Sequence, residues 1–174
     1  VMKSVDGVQA ASTNTSVLVA TNFTFNNINA SGTLDTDKQI ALTDYDMLTS
    51  LSGSNAKKLN DGDPTTYIYS YLYYNPQFVI KFKSVRTLSG VGILSSFTSY
   101  GYGVKKVTVE TSLDGKSWTS MGTATATTQY DDDTTFPIVF SSPVKCQYVR
   151  LSNLETFDTG DYPLFAISEI GAYE

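Results

Sequence analysis

Residues 57–70 read KKLNDGDPTTYIYS, a dense turn followed by an aromatic and β-branched run that begins at Tyr67. In the turn, Gly62 can supply a positive φ, Pro64 fixes its own φ, and aspartates accept hydrogen bonds from nearby amides. Its oxygen atoms allow two interpretations. They bond the amides of their own turn, or they face inward onto a hard cation such as Ca²⁺. Because the residue pattern of an EF-hand loop is absent, the turn alone does not decide between these interpretations.

The composition of the chain is that of a globular domain with a sizeable core. The chain has 174 residues, of which 41% are hydrophobic and 17% are charged, which excludes a disordered composition. The net charge of −5 leaves no basic stripe, so nucleic acid and anionic membrane surfaces are disfavoured as partners. No run of about twenty apolar residues occurs, and we expect no membrane insertion.

Histidine is absent from the chain. This excludes Ser-His triads, Cys-His pairs and HExxH zinc sites. Glutamate occurs only at positions 110, 155, 169 and 174, without a closely spaced carboxylate set on one strand for glycoside hydrolysis. We therefore predict that the domain is not an enzyme. The single cysteine, Cys146, is predicted to be a small buried residue of a strand.

Residues 1–38 differ from the rest of the chain in being rich in Ser, Thr, Asn and Ala. They contain one strand candidate at 16–25 and three glycosylation sequons, at Asn14, Asn22 and Asn29, which chance explains as well as glycosylation does. We interpret this segment as an N-terminal extension or the tail of a preceding domain. The main domain is then predicted over residues 39–174.

From position 40 onward the hydrophobic pattern is typical of β-strands. The stretch at 77–83 alternates apolar and polar residues, and the stretch at 88–94 is a continuous apolar run. Further strands are predicted at 105–112, 135–140, 147–152 and 164–173, with an Asp114-Gly115 hairpin turn after the first of them. Short strands separated by turn signals predict an all-β fold, an antiparallel β-sandwich or jelly roll.

Five motifs occur in the order NDGDPTTY (60–67), QFVIKFKSVRTLSGVGIL (77–94), VKKVTVETSLDGKSW (104–118), YVRL (148–151) and AISEIGAY (166–173). Together they resemble the discoidin domain, which is the C-type domain of blood coagulation factors V and VIII and is shared by family 32 carbohydrate-binding modules. The resemblance covers roughly residues 40–174. It implies an eight-stranded, galactose-binding-domain-like β-sandwich whose ligand-binding loops gather at one end.

The resemblance also implies a structural Ca²⁺ in the DGD turn, reached by a glutamate near the C-terminus. The ligands that it implies, through carboxylates, backbone carbonyls and one hydroxyl, are Leu59, Asp61, Asp63, Thr66 and Glu169. Such hard oxygen donors suit Ca²⁺. An unpaired carboxylate at Glu169, within an otherwise apolar strand, would be costly to bury. The alternative is that Glu169 pairs with Arg150, Lys57 or Lys58.

The chain departs from the family at its sugar-binding positions. Galactose-binding members hold sugar hydroxyls with a histidine, an arginine and an asparagine, and many carry a tryptophan where this chain has Ile68. Here histidine is absent, and the only arginines are Arg86, near a strand start, and Arg150, at a framework position. We therefore expect the usual galactose site to be missing.

Aromatic residues are concentrated in the predicted loops, where tyrosine can stack on the apolar face of a sugar and hydrogen-bond its edge. We interpret Tyr67, Tyr69, Phe165 and Trp118 as core residues. The acidic run 131–133 is interpreted as a solvated loop tip, with a second cation site as the alternative. The candidate ligand-binding residues are Tyr71, Tyr73, Tyr100, Tyr102, Asp158, Asp161 and Tyr162.

The leading hypothesis is a non-catalytic carbohydrate-binding module within a larger secreted or cell-surface protein. It would bind a glycan or glycoconjugate through aromatic loops on a β-sandwich that a structural Ca²⁺ stabilises. We expect an extracellular, cell-surface or periplasmic location, with other domains of the same polypeptide as candidate partners. The alternative is a protein-interaction or structural spacer domain that keeps the fold without a sugar site. An enzyme is the third and least favoured hypothesis.

Overall fold

The structure, a computed structural model, describes residues 27–174. These residues form eight β-strands joined by turns and short 3-10 helices, with no α-helix among them. Nor do they include a helix with the length and hydropathy that a membrane span requires. The strands are β1 (Ile28–Asn29), β2 (Tyr45–Thr49), β3 (Ile68–Tyr71), β4 (Phe78–Ser95), β5 (Val104–Ser112), β6 (Thr119–Thr125), β7 (Thr135–Thr156) and β8 (Leu164–Tyr173). The 3-10 helices are Thr36–Lys38, Leu42–Asp44, Ala56–Asn60, Leu72–Tyr74 and Thr98–Tyr100.

All strand pairs are antiparallel, in the order β3-β8-β4-β7-β5-β6, with β1 added to β7 and β2 added to β4. The two long strands, β4 and β7, run through both layers of the sandwich. The first part of β4 pairs with β2 and with the end of β7, whereas its second part pairs with β8 and with the start of β7. A register shift between Lys81 and Arg86 marks the passage from one layer to the other. The predicted all-β sandwich is confirmed.

The core is built from the alternating apolar residues of these strands. Phe78, Ile80 and Phe82 are fully buried, as their spacing in the sequence predicts, and Phe165 of β8 packs edge-on against Phe78 at 5.8 Å. Burying each such side chain stabilises the fold by about 1.5–3 kcal/mol. Cys146 is buried as predicted, and this burial raises the pKa of its thiol to about 11.

Trp118 is half-buried and lies outside the core, so its interpretation as a core residue is wrong. It directly follows the hairpin turn at 113–117, where the guanidinium of Arg150 lies 4.1 Å from its ring centroid. Arg150 in turn pairs with Glu110 at 2.8 Å. The cation–π contact and the ion pair hold the tryptophan on the outer surface of the sheet.

The described part of the N-terminal segment packs on the sandwich. Ile28 of β1 is buried in the core and pairs with Phe140 of β7. The side chain of Leu34 lies over the backbone of Gly90 and Gly92, an approach that a side chain at either glycine would obstruct. The domain boundary after residue 38 stays a prediction. The strand candidate at 16–25 and the sequons at Asn14 and Asn22 lie outside the described residues.

Candidate functional site

The DGD turn lies beside Glu169 of β8 and gathers several oxygen atoms. Gly62 has a φ of +82°, which glycine adopts without strain, and its amide donates to Glu169 Oε1 at 3.1 Å. The hydroxyl of Thr66 donates to Asp61 Oδ2 at 2.8 Å and lies 3.2 Å from the carbonyl of Asp63. The carbonyl of Lys58 is 3.5 Å from the same hydroxyl. Carboxylate, carbonyl and hydroxyl oxygens therefore converge at this turn.

Asp61 of the turn and Glu169 of β8 have opposite pKa shifts. Burial, together with the nearby Asp61 carboxylate, raises the pKa of Glu169 to about 7. Desolvation also acts to raise the pKa of Asp61, but hydrogen bonds from the Asp63 amide and the Thr66 hydroxyl outweigh it and lower that pKa. A negative charge on both carboxylates is thus unfavourable unless a cation is present.

The cations considered as alternative partners of Glu169 are engaged elsewhere. Arg150 pairs with Glu110, the Lys57 ammonium donates to the carbonyl of Asn60 at 3.2 Å, and the Lys58 ammonium lies 5.9 Å from the Tyr67 ring centroid. The ion pairs found within residues 27–174 do not include Glu169. The salt-bridge alternative therefore has no support in the described part of the chain.

The oxygen donors of the DGD turn fit Ca²⁺ better than a softer metal. No group of three or more His, Cys, Asp or Glu side chains within residues 27–174 could hold a metal ion. Here the carboxylates of Asp61 and Glu169 lie beside backbone carbonyl oxygens and the Thr66 hydroxyl, a mixture of ligands that Ca²⁺ accepts. The side chain of Leu59 is fully buried, and the use of its carbonyl as a ligand stays a prediction.

Five aromatic side chains line a cleft of about 310 Å³, here called the aromatic cleft: Tyr67, Tyr69, Phe97, Tyr100 and Tyr102. β3 and the residue before it supply two of these rings, and the loop between β4 and β5 supplies the other three. The Tyr67 ring meets Phe97 edge-on at 5.0 Å, and the Tyr102 ring lies 6.1 Å from Tyr69 and 5.8 Å from Tyr100. The exposed fractions of Tyr69 and Tyr100, 52% and 69%, leave the ring faces open to a ligand.

The interpretation of Tyr67 and Tyr69 as core residues is wrong, whereas that of Phe165 is confirmed. Ile68 points into the core, and because side chains alternate along a strand, its two neighbours point outward. The sequence does contain a pattern that indicates this orientation, because Ile68, the more apolar residue, stands between tyrosines that recur at every second position. Phe97 was also missed as a lining residue.

A second group of exposed rings, here called the tyrosine cluster, consists of Tyr71, Tyr73 and Tyr74. The ring centroids of Tyr73 and Tyr74 lie 4.2 Å apart, and Tyr71 is 5.6 Å from Tyr73. The turn that carries them is tied to the 157–163 loop, because the Leu72 amide donates to the carbonyl of Pro163 at 2.9 Å. Tyr74 was not among the predicted ligand residues.

The remaining predicted ligand residues lie in the loop before β8. The carboxylate of Asp158 accepts hydrogen bonds from the amides of Gly160 and Leu164 at 2.9 and 2.8 Å, and so shapes its own loop. Desolvation, followed by the charges of neighbours that include Asp158, raises the pKa of Tyr102. Asp161 and Tyr162 are exposed. Asp158 therefore stands beside the cleft as a structural anchor.

Asp132 holds the loop that carries Phe97, Tyr100 and Tyr102. Its carboxylate accepts hydrogen bonds from the amides of Phe97 and Thr98 at 3.0 and 2.8 Å, and from the Thr98 hydroxyl at 2.5 Å. Phe97 has a φ of 56°, a left-handed conformation that is uncommon for a non-glycine residue. Two neighbours reinforce this anchor, because Gln129 donates to the Thr98 carbonyl and Tyr130 to the Val104 carbonyl. Asp132 lies in an exposed turn, as predicted for the acidic run, but it also anchors the neighbouring loop, a role that the sequence did not indicate.

Replacing Asp132 with alanine is expected to loosen this loop. The amides of Phe97 and Thr98 would lose a charged acceptor, and because the site is partly open to water we expect a loss of only about 1–2 kcal/mol of stability. Hydrogen exchange of those two amides should accelerate, as NMR can measure. Asp131→Ala is the matched control, since that side chain is also exposed in the same acidic run. Equal exchange in both variants would contradict the anchoring role.

Both arginines of the chain are held in ion pairs with framework residues. Arg86 bridges Asp44 and Glu174 at 2.6 and 2.7 Å, and Arg150 pairs with Glu110. Neither lines the aromatic cleft. The cleft thus offers ring faces and phenol hydroxyls to a ligand, without an arginine to grip it.

The sequence profile of the F5/8 type C domain matches residues 40–167. Among solved structures, a two-domain protein of unknown function from Bacteroides fragilis superposes with a TM-score of 0.73 and 21% identity, over 86% of this chain and 48% of that one. This chain therefore spans about half of that protein's length. No curated protein matches the chain's sequence.

Two structures of family 32 carbohydrate-binding modules from Clostridium perfringens are also similar. One, from a family 31 glycoside hydrolase, has a TM-score of 0.68 and 19% identity, over 79% of this chain and 96% of that one. The other, solved in complex with galactose, has a TM-score of 0.63 and 13% identity, over 79% of this chain and 98% of that one. At these identities the likeness shows the shared jelly-roll fold.

Proposed function

The chain belongs to the F5/8 type C domain family, and on that premise we propose that it is a non-catalytic carbohydrate-binding module. The observation that carries the proposal is the aromatic cleft, whose rings are held in place yet remain open to solvent. Exposed rings gathered in one place on a folded domain call for a binding partner. The structural neighbours add support, since one of them was solved in complex with galactose.

Binding would rest on stacking and on a few hydrogen bonds. The flat ring faces would cover the apolar C–H side of a sugar, and the phenol hydroxyls would bond its edge. Because Asp132 and Asp158 hold the two loops beside the cleft, little ordering remains to be done when the ligand arrives. We expect dissociation constants in the micromolar to millimolar range, about −4 to −8 kcal/mol.

A structural Ca²⁺ in the DGD turn is part of this proposal. Its proposed ligands are Leu59, Asp61, Asp63, Thr66 and Glu169. The convergence of oxygens around the Thr66 hydroxyl and the proximity of the two carboxylates support it. When bound, the ion would neutralise Asp61 and Glu169 and join β8 to the turn that leads into β3. It would thereby steady the strand that carries Tyr69 and Tyr71.

Weak single-site binding suits a domain that works as one part of a larger protein. Linking several binding modules raises overall retention without new contacts. A similar module comes from a glycoside hydrolase, and a similar two-domain protein is about twice as long as this chain. We therefore propose an extracellular, cell-surface or periplasmic setting, with other domains of the same polypeptide as neighbours.

A glycan array probed with the isolated chain tests the proposed function. We expect retention on a subset of glycans, without release of a product. Retention that is lost in a variant with an altered aromatic cleft would locate the site there. Both arginines are paired elsewhere and cannot hydrogen-bond a sugar at the cleft, which favours a second candidate, a protein-interaction or spacer domain. Binding to no glycan on the array would support this second candidate. Release of sugar product would instead point to an enzyme.

A further inference from the structure

We propose that the domain binds an extended, uncharged oligosaccharide along a surface that joins the aromatic cleft to the tyrosine cluster. This proposal rests on the proposed function and names the class of glycan that the site would take. The aromatic cleft would hold one sugar unit, and the tyrosine cluster would hold a later unit of the same chain.

Strand β3 makes the two groups of rings continuous. Tyr69 belongs to the cleft and Tyr71 to the cluster, and since they stand two positions apart they share one face of the strand. Their Cα atoms are separated by roughly 7 Å, the usual two-residue step of a strand. Each of these two tyrosines has a neighbouring ring in its own group: the ring centroids of Tyr69 and Tyr102 are 6.1 Å apart, and those of Tyr71 and Tyr73 are 5.6 Å apart.

The tyrosine cluster is held in a defined position although its rings are exposed. Tyr73 and Tyr74 are 63% and 56% exposed, yet they lie on a 3-10 turn that Asn75 ends in a left-handed conformation. The Leu72 amide ties this turn to Pro163. Because the backbone that carries these rings is fixed and the rings themselves are exposed, they form a preorganised binding surface rather than a cover over the core.

The charges around this surface favour a neutral ligand. The backbone of Asp158 lies against Gly101, the residue before Tyr102, and the Asp132 carboxylate accepts a hydrogen bond from the amide of Phe97. The Lys58 ammonium lies near the Tyr67 ring, at one end of the aromatic cleft, while both arginines are paired elsewhere. An anionic sugar bound beside Tyr102 would approach the carboxylate of Asp158, which is unfavourable at short range.

The open shape of this surface favours the interior of a chain over a terminal sugar. The cleft rings Tyr69 and Tyr100 are more than half exposed, and the cluster beyond them is an outward platform. Among the described residues, the cleft that these rings line is open to solvent, so a bound glycan chain need not end there. A glycan chain can therefore continue from one group of rings to the other.

Calorimetric titration against uncharged oligosaccharides of increasing length tests the proposal. The probes are galactose-, glucose- and mannose-based oligosaccharides of one to six units, with oligogalacturonates of the same lengths as charged probes. We expect the affinity for an accepted sugar to rise at least about tenfold between one unit and four, because further rings are covered, and to remain weaker for the charged series.

The variant Tyr73→Ala with Tyr74→Ala should remove the gain with length and leave the single-unit affinity unchanged. Tyr73→Phe with Tyr74→Phe should keep most of the gain, since the ring faces remain. Leu113→Ala, an exposed change on the distant hairpin, is the control and should alter neither. Melting temperatures should match the wild type throughout.

Equal affinity for all lengths, or a preserved gain in the double alanine variant, would overturn this inference and leave the proposed function standing. Tighter binding of oligogalacturonate would overturn the neutral-ligand assignment. Binding of no probe at any length would overturn this inference, and silence across the glycan array as well would overturn the proposed function.

Discussion

Removing Ca²⁺ with a chelator is expected to lower the melting temperature of the domain by several degrees. An ion that binds only the folded state stabilises it by RT ln(1 + [Ca²⁺]/Kd), about 2.7 kcal/mol at a hundredfold excess over Kd. For a domain of this size each kcal/mol corresponds to roughly 2–4 °C. Scanning calorimetry with and without chelator measures the shift. Mg²⁺ should restore little of it, because that ion requires a smaller octahedral site.

Variants of the two carboxylates locate this effect. Asp61→Asn and Glu169→Gln should each lower stability and abolish the response to chelator, since both remove a charged oxygen donor. Asp131→Asn is the control and should do neither, because its side chain lies in a separate exposed loop. Under the salt-bridge account, Glu169→Gln destabilises the protein while chelation changes nothing. A transition unmoved by chelator would end the calcium proposal.

Replacing Tyr100 and Tyr102 together with alanine is expected to abolish glycan retention. The two rings form one wall of the aromatic cleft, with centroids 5.8 Å apart. If each stacked ring contributes about 1–3 kcal/mol, as for bases stacked on aromatic side chains, their loss removes most of the affinity of a weak site. Affinity electrophoresis or calorimetry against a glycan identified on the array measures the change.

The melting temperature of this double variant should stay close to that of the wild type. Tyr100 is 69% exposed, and the contact that the Tyr102 residue makes with β8 is through its carbonyl, which accepts from the Ala166 amide. Tyr100→Phe with Tyr102→Phe is the matched control and should retain much of the binding, because the ring faces are kept. An unfolded alanine variant would show that these rings belong to the core and that the site is misassigned.

The features that the sequence predicted correctly depend on residues near one another along the chain. The alternation of Phe78, Ile80 and Phe82 places one face of β4 in the core. The Asp114-Gly115 turn forms the predicted hairpin between β5 and β6. Hydrogen bonds from the amides of Ser117 and Lys116 lower the pKa of Asp114 to about 2. Local geometry accounts for each of these outcomes.

The proximity of the DGD turn to Glu169 was also anticipated, but from the family resemblance rather than from local patterning. The two segments are 107 positions apart at the hydrogen bond that joins Gly62 to Glu169. No periodicity or turn rule links positions so distant. The order of several motifs along the chain carried that expectation, and the fold then brought the carboxylate to the turn.

The sequence by itself determined the all-β class, the main core positions and the hairpin, because these follow from side-chain alternation and turn chemistry. Only the tertiary structure decided which way the tyrosines beside Ile68 face and which carboxylate anchors the aromatic loop. A strand's outward face depends on its partners, here the pairing of β3 with β8. Asp132 reaches Thr98 across 34 positions, a contact that exists only after the sandwich has closed. The candidate binding surface is therefore a product of long-range packing, which local sequence rules do not contain.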